Sequence, residues 1–192
     1  MVEHQQDNIY ISKVLEGDRN AFAYLVDKYK TMVYSLALRL VKDREEAEEI
    51  SQDSFIKAYQ SLASFKGKAK FSSWLYRIVY NTAISKLRQQ PAGRVSLDES
   101  NIADTLYIEN KQNYDALSAG ERKKYLEKAL DSLDMDEKML VILYYYEERD
   151  LDEIATIAGL TKTNTKVKLY RARKKMLIVL KSYLKEETYN LL

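Results

Sequence analysis

Cysteine is absent from the 192-residue chain, and histidine occurs once, as His4 in a polar N-terminus. A disulfide framework, a thiol nucleophile and a thiolate zinc site are therefore excluded, and a Ser–His triad or histidine acid–base chemistry has almost nothing to work with. Any catalysis would rest on carboxylates, lysines or tyrosines, and the reading is that the chain is not an enzyme. Five glycines and one proline are too few for a β sandwich or barrel, which needs turn residues every 8–12 positions or so. Neither a GxGxxG nor a Walker pattern occurs, so no glycine-rich phosphate loop is available and no cofactor or metal is expected. No run of eighteen apolar residues exists, and Met1 to Asn8 is polar rather than a basic-plus-apolar leader. These absences predict a cytoplasmic protein without membrane insertion.

What is present favours helix. Lys, Glu, Leu and Ala are abundant, although the sixteen tyrosines are neutral in helix propensity. Phe22, Leu25, Val26, Tyr29, Val33, Leu36 and Leu40 recur at three- and four-residue spacing, the apolar stripe of an amphipathic helix beginning near Asp18, with Gly17 ending a shorter helix before it. Asp43 followed by Glu46 resembles a capping box for a second helix to about residue 63. Ser64 to Lys70 reads as a loop, and Phe71, Leu75, Ile78, Val79 and Thr82 mark a third helix to about Gln90. Pro91 and Gly93 then break the pattern. Residues 91–121 carry four more acids than bases and form an acidic linker, with Leu106, Tyr107 and Ile108 as the apolar triplet available for docking. Helical spacing resumes at Arg122, followed by a mostly apolar, buried helix from Met139 to Tyr146. The fold class is all-α: two small helical domains, 1–90 and 122–192, joined by the linker.

The last block carries the sharpest pattern. Asp150 with Glu153 caps a short helix whose Ile154, Ala155 and Leu160 face inward, and Gly159 supplies the turn that two crossing helices need. In the next helix Thr165, Leu169, Ala172, Met176 and Leu180 fall within an arc of roughly 80°, the core side. Thr163, Asn164, Val167, Lys168, Arg171, Lys174 and Lys175 fall opposite. From Lys162 to Lys175 there are seven basic residues and no acid, which suits a helix entering a DNA major groove. A solvated basic face remains the plainer alternative.

Charge is also segregated in the first block. Glu45, Glu46, Glu48, Glu49, Gln52 and Asp53 cover an arc of about 160° on the second helix. Such a face serves solubility or meets a protein; it does not touch DNA. Between Ser54 and Leu97 there is no acid, while Lys57, Lys66, Lys68, Lys70, Arg77, Lys86, Arg88 and Arg94 are all there. Ser73, Trp74, Arg77, Tyr80, Asn81, Ile84 and Arg88 share a stripe on the third helix, the mixture of rings, cations and an amide that unpaired DNA requires. Trp74 alone is as readily a core residue as a stacking platform.

The stretches Gly17-Asp18 to Leu25, REEAEEISQDSFIKAY (44–59), FSSWLYRIVYNTAISKLR (71–88) and LDEIATIAGLTKTNTKVKLYRARKK (151–175) together resemble the extracytoplasmic-function class of bacterial sigma-70 family RNA polymerase sigma factors. The resemblance implies that Glu46, Glu49, Gln52, Asp53 and Phe55 meet the clamp helices of the polymerase core's largest subunit. It assigns the loop 64–70 and the helix after it to recognition and melting of the minus-ten element, with Lys66, Lys70, Ser73, Trp74, Arg77, Tyr80, Asn81 and Arg88 on the DNA and a flipped-out base captured by the loop. It assigns Lys162, Thr163, Asn164, Lys166, Lys168, Arg171 and Lys174 to the minus-thirty-five duplex, the linker to the RNA exit path, and the flap of the second polymerase subunit and an anti-sigma factor to the partners of a chain monomeric when free. Five places depart from the family pattern: Asp53 where Glu is commoner, Tyr80 where a small residue is usual, Arg149 where an apolar residue precedes the capped helix, Thr165 where Val is typical, and Asp134-Met135 in place of a Pro-containing turn. The rival expectations are a helix-turn-helix regulator that binds DNA alone as a dimer, and a helical adaptor or anti-sigma-like protein.

Overall fold

In a computed structural model, residues 2–89 and 118–190 are described, with side chains for 6–88 and 118–183. The linker expected over 91–121, with its Leu106–Ile108 triplet, lies outside them up to residue 117. Among the described residues every regular element is helical: α1 (Val2–Leu15), α2 (Ala21–Val41), α3 (Arg44–Ser61) with a single 3₁₀ turn at Leu62–Ser64, α4 (Phe71–Gln89), α5 (Ala119–Asp131), α6 (Met135–Tyr145), α7 (Leu151–Ala158) and α8 (Lys162–Asn190).

The apolar stripe of α2 buries Phe22, Leu25, Val33, Leu36 and Leu40 against Ala47, Ile50 and Ala58 of α3 and Phe71, Leu75 and Val79 of α4. The caps form as the sequence requires. The Asp43 carboxylate accepts from the Glu46 amide at 2.9 Å, and Asp150 accepts from the amides of Asp152 and Glu153. Helix α1 is longer than the polar N-terminus suggests. Its Asp7, 3 % exposed, accepts from Lys28 Nζ at 2.6 Å and Tyr29 Oη at 2.7 Å on α2, so one carboxylate ties α1 to the bundle.

In the second half the structure moves two expected boundaries. Helix α5 begins at Ala119 rather than Arg122, because Ser118 and Glu121 form a reciprocal capping box. That hydrogen bonding to Ser118 holds the exposed Glu121 carboxyl below its ordinary range. Helix α6 begins at Met135, where Asp134 caps through the Glu137 amide. Met139 to Leu143 are buried, but Tyr144, Tyr145 and Tyr146 are exposed. Three consecutive residues sweep about 200° of a helix, so they cannot all face the core.

The two halves pack on each other. Lys138 of α6, 3 % exposed, reaches the Leu40 carbonyl at 3.4 Å and Asp131 at 3.1 Å. Lys42 meets the same Asp131, and the Arg39 guanidinium lies 4.2 Å from the Tyr146 ring centre.

Candidate nucleic-acid interface

Helix α8 sorts its residues by side. Thr165, Leu169 and Ala172 are buried, while Lys162, Thr163, Asn164, Lys166 and Arg171 are exposed at its N-terminal end. Gly159, at φ +68°, turns the chain between α7 and α8. The turn is reinforced by Leu160 N–H donating to the Ala155 carbonyl at 2.9 Å. Lys162 bonds the Asp152 carboxylate at 2.7 Å, which raises its pKa. Lys168 is half-buried, its ammonium 4.0 Å from Asp136, and Lys174 lies over the Tyr170 ring. Lys175 does not belong to the outward face. Its ammonium turns in to Glu137 at 2.8 Å, and both side chains are largely buried. The periodicity placed it one position too far around, where a buried acid on α6 supplies the stronger partner.

On α3, Glu49 and Gln52 are exposed, and Glu46, Asp53 and Phe55 are half-buried, Phe55 packing on the core. Glu49 is ion-paired with Lys86 of α4, so the acidic helix and the basic helix also brace one another.

The loop after α3 folds into a concave site of about 180 Å³ lined by Phe65 to Ala69, Ser73, Trp74, Arg77 and, from the other half, Thr156. The Trp74 indole is half-buried with its centre 5.4 Å from Phe65 and 5.5 Å from Phe71, so it is partly core and partly wall. Ser73 is 4 % exposed and contributes only to the floor, whereas Lys66, Lys70, Arg77, Asn81 and Arg88 are exposed.

Sequence reasoning missed what faces this stripe. Lys70 is ion-paired with Glu153, and the Tyr80 hydroxyl donates to Asp136. Tyr76, fully buried, donates to Glu147 Oε2 at 2.5 Å and receives Arg149 Nη2 at 3.4 Å. Arg149 lies 3.8 Å from Glu153. Burial first, then the adjacent carboxylates, hold both phenols above the ordinary tyrosine range, so each stays a neutral donor. Tyr80 and Arg149, two of the five departures noted in the resemblance, both lie in this contact.

A second concavity, about 360 Å³, lies in the C-terminal half and is lined by Leu126, Val141, Tyr145, Tyr146, Met176 and Leu180 among others. No described helix is long and apolar enough to cross a membrane.

Residues 25–92 match the family Sigma-70 region 2, and residues 123–176 match Sigma-70, region 4. The chain is 32 % identical over 174 residues to the ECF RNA polymerase sigma factor SigW of Bacillus subtilis, covering 85 % of this chain and 90 % of that one. It is 29 % identical to the RNA polymerase sigma-H factor of Pseudomonas aeruginosa over 97 % of this chain and all of that one. It is 30 % identical to the ECF RNA polymerase sigma-E factor of Escherichia coli K12 over 90 % of this chain and 93 % of that one. Among solved structures, CnrH in complex with the cytosolic domain of CnrY is similar in fold, with TM-score 0.66 at 20 % identity over 92 % of this chain and 97 % of that chain. So is the sigma factor RpoE in complex with the anti-sigma factor NepR from Bartonella quintana, with TM-score 0.58 at 20 % identity over 83 % of this chain and 96 % of that chain.

Proposed function

We propose, on the premise that the chain belongs to the sigma-70 family as an RNA polymerase sigma factor of the extracytoplasmic-function type, that its two helical halves divide promoter recognition between them. As a sigma factor it directs core polymerase to specific promoters and initiates transcription there. In this reading residues 1–90 act as region 2, 91–121 as the connecting linker and 122–192 as region 4. The chain carries out no reaction itself, works in the cytoplasm as a monomer when free, and leaves catalysis to the polymerase.

The acidic side of α3, through Glu46, Glu49, Gln52, Asp53 and Phe55, meets the clamp helices of the largest polymerase subunit, and region 4 meets the flap of the second. The concave loop site holds a flipped nontemplate base, with Trp74 as wall and Lys66 and Lys70 at the rim. Arg77, Tyr80, Asn81 and Arg88 follow the strand along α4, and the buried Ser73 supports the floor. Helix α8 reads the minus-thirty-five duplex with Lys162, Thr163, Asn164, Lys166, Lys168, Arg171 and Lys174. An anti-sigma factor holds the chain silent, a reading supported by the anti-sigma partner in the similar Bartonella quintana structure.

The observation that supports this most strongly is the division of α8 into a buried apolar side and an exposed, acid-free basic end behind a left-handed glycine turn. Multi-round transcription with purified core polymerase tests it. Promoter-specific transcripts are expected only when this chain is added, and their absence at saturating protein on cognate DNA would sink the reading.

A further inference from the structure

The loop concavity beside α4 is lined by five polar side chains of the first half, Lys66, Lys68, Ser73, Trp74 and Arg77. Four of these five only donate hydrogen bonds, since lysine, arginine and the indole N–H carry no acceptor. The fifth, Ser73, is 4 % exposed and belongs to the floor. Thr156 adds a hydroxyl from α7, and that hydroxyl already donates to the Asp152 carbonyl at 2.9 Å. Among the described residues neither a carboxylate nor a side-chain amide lines the site, and no acid occurs in the sequence from Ser54 to Leu97. The donors are also uncommitted. Among the described residues no acid pairs with Lys66, Lys68 or Arg77, whereas the neighbouring Lys70 is held by Glu153. Gly67, at φ +66° with open space where a Cβ would stand, makes the turn between the two lysines.

The four bases differ in what such a lining can recognise. Thymine and guanine carry a ring carbonyl where cytosine and adenine carry an exocyclic amine: O4 against N4 in the pyrimidines, O6 against N6 in the purines. Selecting an amine takes an acceptor, a carboxylate for cytosine or an amide for adenine, while selecting a carbonyl takes a lysine or an arginine. An amine turned toward ammonium and guanidinium groups sets donor against donor and loses the water that had accepted from it. A carbonyl in the same place accepts from whichever cation reaches it.

We propose that the loop site selects the base it captures by chemical class, taking a keto base, thymine or guanine, and rejecting the amino bases cytosine and adenine. Lys66 and Lys68 are its specificity-determining residues, and Arg77 is a further donor. The inference rests on the assignment of this concavity to a flipped nontemplate base. Promoters opened by this chain accordingly carry a keto base at the captured position.

The test uses the complete chain bound to core polymerase and fluorescein-labelled single-stranded 12-mers in which every sugar is abasic except one in the middle. All strands carry the same phosphates, so differences in affinity read by anisotropy report one base. Uracil is compared with cytosine, and hypoxanthine with adenine, because each pair exchanges a carbonyl for an amine at constant ring size; a fully abasic strand sets the baseline. We expect the keto member of each pair to bind about fivefold tighter or more. Lys66→Gln combined with Lys68→Gln, both at exposed positions, lowers the affinity of every strand through lost phosphate attraction. The same double variant is expected to bring both ratios close to one, since glutamine offers an acceptor beside its donor. Equal affinities within either pair, or ratios that the double variant leaves unchanged, overturn the selectivity while the one-base strands still bind above the abasic baseline. If no strand exceeds that baseline, it is the assignment of the loop to a flipped base that fails, and this inference with it.

Discussion

Glu148 and Gly159 share the left-handed region of backbone space, at φ +50° and +68°, but only one of them is a glycine. A Cβ costs about 1–2 kcal/mol there. Gly159→Ala is therefore expected to destabilise by about 1 kcal/mol, a fall in melting temperature of about 2–4 °C for a chain of this size. Glu148→Gly, at an exposed position, is expected to leave the melting temperature unchanged or raise it. Calorimetry of the two variants checks both signs. Gly159 was legible from sequence because glycine announces the conformation it permits. Glu148 was not, because its backbone is held by neighbouring bonds: Glu147 N–H to the Ile142 carbonyl at 3.1 Å and Arg149 N–H to the Leu143 carbonyl at 2.9 Å. Asp7 was equally hidden. Its partners, Lys28 and Tyr29, lie a helix away. Asp7→Ala removes the acceptor of both and is expected to cost about 1–3 kcal/mol by urea unfolding.

Along α8 the residue types look alike but their tasks separate. Lys168→Ala and Arg171→Ala are expected to weaken duplex binding and to lower the slope of log affinity against log salt by about one each. Lys175→Ala should leave that slope unchanged and instead cost about 1–3 kcal/mol of stability, because it strands the buried Glu137 carboxylate. Fluorescence anisotropy across a salt series and urea unfolding separate the two behaviours. On α3, Glu49→Lys and Asp53→Lys are expected to weaken core polymerase binding while the fold survives, since Glu49 is exposed and its surface pair with the half-buried Lys86 is worth about 1 kcal/mol at most; surface plasmon resonance against immobilised core reads the change. Helices α2, α3, α4, α7 and α8 were readable because their apolar residues repeat at three and four. Tyr144 to Tyr146 are exposed, against the expectation of a buried helix to Tyr146, because successive helical residues stand about 100° apart and three in a row cannot share the core side. Lys175 shows the same limit from the other side: periodicity gives a residue's bearing to within tens of degrees, and a buried acid across the interface decides the rest.

For the whole molecule, the pH dependence follows from the contact between the halves. Tyr76 faces Glu147 and Arg149, and Tyr80 faces Asp136, Asp134 and Arg88; burial and the carboxylates raise both phenols. The unfolded chain releases these protons at the ordinary phenol value and the folded chain holds them. Their stabilisation is therefore fully present at neutral pH and is lost as pH climbs past that ordinary value toward the raised one. The urea midpoint is expected to fall between about pH 8 and pH 11, with a shallower fall in Tyr80→Phe. None of this packing could be read from spacing, since Tyr76 and Glu147 lie 71 residues apart and Tyr80 and Asp136 lie 56 apart. What the sequence offered was only that Tyr80 and Arg149 depart from the pattern of the family it resembles; their partners were not legible.

The chain has one tryptophan, and it stands in the wall of the loop concavity beside Arg77, with Thr156 of the second half on the same rim. Excitation at the red edge of protein absorption therefore interrogates a single indole at the junction of the two halves. Separation of the halves would wet that indole and shift its emission to longer wavelength, while a base stacked on it would quench it. The unlabelled protein thus carries its own optical gauge of whether that indole is packed between the halves, wetted, or stacked on a base, and can be followed in a stopped-flow mixing cell as denaturant or single-stranded DNA is added.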